Sequence, residues 1–148
     1  MAALTVLLLA SCGEEEAETP AACLAPASAY LEALRQAPQP VLLEGMTPIS
    51  DCLPAGQDTV ELGQVGEEMV NAATRLNAEA RRRPSGEATA QLGYLIGAAQ
   101  QGASESGIHT DLLRRLDTAA RFNEGGKPLP ASFERAFGEG YAAGQETG

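Results

Sequence analysis

Apolar and polar positions change register several times along this chain, and each change marks an element. Residues 2–11 are uncharged and mostly apolar, and they end abruptly in Cys12-Gly13-Glu14-Glu15-Glu16. From about Ala25 to Gln36, Tyr30, Leu31 and Leu34 share one side, which predicts a short helix stopped by Pro38 and Pro40. The stretch Val41 to Leu53 has no helical period and is broken by Gly45 and Pro48, with Pro54 just beyond. It predicts an extended, Pro-rich strap with one helical turn near Ile49 to Leu53.

The longest helix is predicted from about Thr59 to Arg82. Leu62, Val65, Met69, Ala72, Leu76 and Ala80 recur at spacings of three and four, and Asp58 with Glu61 forms a capping box at its start. A second long helix follows Ser85-Gly86 and reaches about Gln101, burying Ala88, Leu92, Leu95, Ile96 and Ala99. Gly63 and Gly66 on the first helix, and Gly93 and Gly97 on the second, predict a close approach of these two backbones. That packing offsets the helix propensity each glycine loses. Ile108 to Asn123 forms the next helix, with Ile108, Leu112, Leu113, Leu116, Ala119 and Ala120 inward, and Gly125-Gly126 ends it. The last helix spans about Ala131 to Gly144, with Phe133, Phe137 and Tyr141 on one stripe. Its glycines, Gly138, Gly140 and Gly144, predict fraying, and Gly144 to Gly148 is expected to be disordered. The fold class is therefore all-α: a small orthogonal or bundle-like domain of four to five helices with an extended strap.

Charge narrows the partners. The chain carries 20 acidic and 10 basic groups, for a net charge of −10. Setting aside the glutamates at 14, 15, 16 and 18 leaves 16 acidic against 10 basic groups, about −6 for the remainder. Such mild acidity suits solubility and disfavours nucleic acid. Arg81-Arg82-Arg83 falls where cations complement a helix C-terminus; its alternative reading is a docking site for phosphate or an anionic headgroup.

Candidate chemistry is sparse. His109 has Ser104, Ser106, Thr110 and Asp111 nearby in sequence, from which a hydrolytic set can be drawn. A triad is assembled from separate elements, however, and here the serines sit in a linker-like loop while His109 and Asp111 fall at a helix start. A capping or surface role is the expectation for His109. Glu67 and Glu68 are adjacent on a helix and point in different directions, so they form no acid/base pair. The sequence contains no phosphate-cradling loop, no His-Glu-x-x-His and no calcium loop, and neither cofactor nor metal is expected. Phe133, Phe137 and Tyr141 are the candidate binding residues, with core packing as the default reading of the stripe.

The quartet Leu9-Ala10-Ser11-Cys12 resembles the lipobox of bacterial lipoproteins. Residues 2–11 are about half the roughly 20 apolar residues a bilayer-spanning helix needs, as in a signal peptide. One feature departs from the pattern: no Lys or Arg precedes the apolar run. The alternative is an apolar N-terminal helix with Cys12 as a buried thiol. The resemblance implies cleavage before Cys12, attachment of at least two fatty acyl chains such as palmitate, export, and a domain anchored on the extracytoplasmic side of the membrane. It implies a signal peptide over 1–11, an acidic tether over 12–22 that holds the domain off an anionic surface, and a single helical domain over 23–148. Lipidation of Cys12 leaves Cys23 and Cys52 as an even pair in an oxidising setting, and a disulfide between them is expected. Reduced buried thiols or a two-cysteine metal pair are the alternatives. The expected function is a non-catalytic binding or structural module of the cell envelope, with another envelope protein as candidate partner. A small-ligand carrier with a pocket between helices is the alternative, and a hydrolase using His109 a further one.

Overall fold

A computed structural model describes residues 17–103 and 107–148. Those residues form a small all-α domain whose helices are α1 (Ala27–Leu34), α2 (Thr59–Ala80), α3 (Glu87–Gly102), α4 (Thr110–Arg121) and α5 (Ala131–Thr147). Single 3-10 turns occupy Ala21–Leu24, Ile49–Cys52 and Glu124–Gly126. The strap folds back as a minimal antiparallel hairpin, β1 (Leu42–Leu43) with β2 (Thr47–Pro48), before the expected turn at Ile49.

The domain begins earlier than residue 23. Ala17 pairs in a parallel bridge with Gln57, and Thr19 and Ala22 are buried. Gln57 Nε2 donates to Thr19 Oγ1 (2.8 Å) and to the Cys52 carbonyl (3.0 Å). Residues 17–22, expected as tether, are therefore part of the fold: the Ala17 bridge to Gln57 and one long-range side-chain bond from Gln57 to Thr19 hold what composition reads as solvated chain. Cys23 and Cys52 form a disulfide, with Cα atoms 5.3 Å apart. Beside it Tyr30 is fully buried and its hydroxyl donates to the Cys23 carbonyl (2.7 Å). Burial, reinforced by the Glu68 carboxylate, pushes that hydroxyl's pKa well above its ordinary value.

Helix ends follow local chemistry. Asp58 caps α2 by accepting from the Val60 and Glu61 amides at 2.8 and 3.1 Å. The start of α1, preceded by Pro26, is capped from across the fold, where Glu68 Oε2 accepts from the Ala27 amide at 2.7 Å. The central element is α3, which packs on α1, α2, α4, α5 and the Ile49–Cys52 turn. Its run from Leu92 to Ala99 is buried on all sides, as a helix enclosed by others must be.

The glycines pair differently from expectation. A Cβ on Gly93 or Gly97 would overlap the carbonyl of Phe137 or Tyr141, and one on Gly140 or Gly144 would overlap that of Ala90 or Tyr94. Thus α3 and α5 run side by side in the same direction, backbone against backbone, each supplying glycines to the other. On α2, Gly63 faces open space and Gly66 faces the Leu112 side chain. The same contact corrects the expected disorder of the C-terminus. α5 continues to Thr147, whose hydroxyl lies 2.9 Å from the Tyr94 hydroxyl. Thr147 Oγ1 donates to the Ala143 carbonyl, so Tyr94 donates to Thr147 and accepts from the buried Val41 amide (3.0 Å). One buried hydroxyl ties the strap and the last turn to the central helix.

Candidate functional site

Phe133 and Phe137 stack at 5.7 Å between centroids, and Phe137 and Tyr141 at 6.3 Å. Phe133 and Phe137 are buried in the core, however, and Tyr141 is half-buried. The stripe is interior packing rather than an exposed docking surface, because α5 turns that face toward α3 and α4. Where Phe137 and Tyr141 reach the surface they border a 330 Å3 recess with Ile96, Leu113 and Arg121. Arg121 lies over the Phe137 ring (5.0 Å) and pairs with Asp117 (3.1 Å) and Glu134 (3.4 Å), which closes that side.

His109 is fully buried, which corrects the surface role expected for it. Removal from water disfavours the imidazolium and pushes its pKa below the ordinary 6.5. Asp111 pairs with Arg114 one turn on, and Ile108, expected inward, is exposed. Ser104, Ser106 and the lipidation candidate Cys12 lie outside the described residues. Among the described residues no group of three His, Cys, Asp or Glu stands where it can hold a metal ion, and no helix is long and apolar enough to cross a membrane.

A further surface feature lies where the sequence shows only two solvated helix faces. A groove of 460 Å3 runs between α2 and α4. Val70, Thr74, Ala78 and Arg81 border it from α2, spaced four, four and three apart so that they form one straight row. From α4 come Arg114 and Arg115, then Thr118 and Ala119, then Phe122 just past the helix end. Asn77 pins the two helices together, its Nδ2 donating to the Ala120 carbonyl at 2.6 Å. Phe122 is 54% exposed, one of few large apolar side chains left in water. Arg81 lies over its ring at 5.6 Å and reaches Glu124 at 3.4 Å through Nη1, while its buried Nε finds no acceptor among the described residues.

All three charged residues lining this groove are arginines, in a protein of net charge −10. The groove therefore offers guanidinium donors around a floor of small and apolar side chains, the chemistry that recognises an anionic, amphipathic surface. In the sequence, Arg81 reads as a helix end and Arg114 and Arg115 as an outward face. An aromatic residue immediately beyond a polar helix end, Phe122, is the one local signal that points here. Fold and groove together define a small, disulfide-linked all-α domain with an arginine-bordered groove between α2 and α4. No protein-family model matches this chain, and no curated protein or solved structure is detectably similar to it.

Proposed function

We propose that this chain is a bacterial envelope lipoprotein, anchored through acylated Cys12, whose extracytoplasmic domain is a non-catalytic binding module that engages its partner in the α2–α4 groove. The observation that carries the binding reading is the groove's charge: its three charged lining residues are all arginines, on an acidic protein, beside an exposed phenylalanine. The Cys23–Cys52 disulfide supports an oxidising compartment. Ala17, the first of the described residues, is five residues after Cys12, a length of chain that spans at most about 17 Å. The domain of such a lipoprotein sits close against its membrane. A small-ligand carrier is the second reading, favoured by the groove's 460 Å3, a size typical of ligand pockets.

Intact-mass analysis of membrane-extracted protein tests the anchor. The expected species begins at Cys12 and carries acyl chains, and Cys12→Ala releases the domain from the membrane fraction. Membrane-extracted protein with an unmodified Cys12 sinks the anchoring proposal.

A further inference from the structure

We infer that the α2–α4 groove seats one amphipathic helix of a partner protein, with a small or apolar face inward and acidic side chains about three turns apart at its two ends. The inference rests on the reading of the domain as a binding module and names the kind of partner.

The distribution of charge along the groove is what selects a helix. α2 and α4 run in the same direction: Gly66 faces Leu112 and lies near Arg115, while Asn77 bonds Ala120. Arg114 and Arg115 therefore stand at the Val70 end, and Arg81 with Phe122 stands at the other. From Val70 to Arg81 the groove follows α2 for three turns, about 16 Å. Cations thus guard both ends of a floor made of Thr74, Ala78, Thr118 and Ala119, whose short side chains let a helix settle between two others. A fatty acid or lysolipid has a single anionic end and leaves one set of guanidinium groups unmatched. A helix with carboxylates eleven residues apart matches both. Arg81 and Arg114 pair with Glu124 and Asp111 through one terminal nitrogen each, and the other terminal nitrogen of each guanidinium remains to meet a partner carboxylate.

The bilayer itself is a poor occupant. The end of the domain that would be anchored is at Ala17 and Gln57, beside the start of α2, and Val70 to Arg81 lie 11 to 22 residues beyond Thr59, roughly 17 to 33 Å along α2.

The test uses the full chain in phosphatidylcholine nanodiscs, or free in solution if it carries no lipid. Fluorescein-labelled helical peptides of about 16 residues, with an Ala/Leu face and glutamates eleven residues apart, are titrated by anisotropy against the same peptides carrying lysines. The glutamate peptide is expected to bind saturably at or below about 1 mM, and at least about tenfold more tightly than the lysine peptide. Arg81→Glu with Arg115→Glu is expected to reverse that preference. Thr118→Tyr, which fills the floor from an exposed position, weakens binding without touching a charge and serves where the double variant fails to fold. Equal binding of the two peptides, or none by either at about 1 mM, overturns the inference. So does saturable groove binding of dodecanoate or lysophosphatidylglycerol in place of the peptide, which assigns the groove to a lipid. Because the assay runs with or without the anchor, its failure is distinct from an unacylated Cys12.

Discussion

The contact between α3 and α5 yields the sharpest quantitative prediction, because one substitution has opposite effects at neighbouring places. Gly97→Ala gains about 1 kcal/mol of helix propensity wherever it is made. At this site the new Cβ meets the Tyr141 carbonyl, with the Gln145 amide nitrogen at 3.1 Å. Both obstacles are backbone atoms of a hydrogen-bonded helix and cannot rotate away, so the helices must part. A gap of about 0.5–1 Å forfeits a quarter to a half of each dispersion contact across the seam, and overpacking of this kind costs about 3 kcal/mol or slightly more. The loss extends to Leu92, Tyr94, Leu95, Phe133 and Phe137, which are buried around the same seam. The net expectation is a destabilisation of about 2 kcal/mol, or a Tm lower by roughly 6–10 °C for a chain of this size. Gly138→Ala on α5, where a Cβ meets nothing within 4 Å, is expected to raise Tm by about 3–5 °C. Urea and thermal unfolding followed by far-UV circular dichroism measure both. Once Gly97→Ala has parted the helices, adding Gly140→Ala costs little, so the pair is non-additive. A Gly97→Ala protein as stable as wild type, or as stabilised as Gly138→Ala, refutes the backbone-to-backbone seam.

Reduction of the Cys23–Cys52 bond, which closes a loop of sequence separation 29, is expected to cost about 3.5 kcal/mol, read as the difference between urea midpoints with and without reductant. Midpoints that coincide refute a closed loop in the native protein. Tyr94→Phe removes the acceptor of the buried Val41 amide and is expected to cost about 1–3 kcal/mol; hydrogen exchange at Val41 and in the last turn of α5 reports whether both attachments loosen together. His109 gives a pH signature. Its folded pKa lies below the ordinary 6.5, so the unfolded chain takes up the proton first. Stability present above about pH 6.5 is lost as pH falls toward the folded pKa, with a limiting slope of about 1.4 kcal/mol per pH unit. His109→Gln should flatten stability between about pH 7 and pH 5.5, and an unchanged slope assigns the effect to other groups.

Local chemistry made much of the fold legible. Asp58 marks the start of α2 by capping it, Gly125-Gly126 follows α4, and apolar periods place the long helices within a few residues. What failed depends on contacts remote in sequence. Small residues four apart on α3 announce a close approach, but its partner is α5, more than forty residues away, and not the preceding helix. Residues 17–22 read as tether because the Gln57 amide that holds Thr19 lies 38 positions on. His109 sits among polar neighbours in sequence, and only the packing around it in the folded chain buries it. The groove was hidden for a related reason: each of its walls is the polar face of a helix, and solvated is the correct reading of either face alone. Only the adjacency of α2 and α4, fixed by core residues on their other sides, turns two arginine-bearing surfaces into one cleft.

Charge and length together bear on how such a domain stands on a membrane if Cys12 is acylated as proposed. Acids cluster in sequence around the entry end: Glu14, Glu15 and Glu16 precede Ala17, Glu18 follows it, and Asp58 adjoins Gln57, the partner of Ala17. Arg81, Arg82 and Arg83 close the far end of α2, a helix of 22 residues and so about 33 Å long. An anionic leaflet acts over a Debye length of about 8 Å and repels the near, acidic end most. It attracts the arginine end only if the domain lies flat, which brings Glu79 and Glu124 to the surface with it. With the tether too short for the domain to wander, repulsion at the entry end favours α2 standing away from the surface. The groove is then presented outward, about one helix length from the lipid, where a segment of another envelope protein reaches it more readily than the bilayer does.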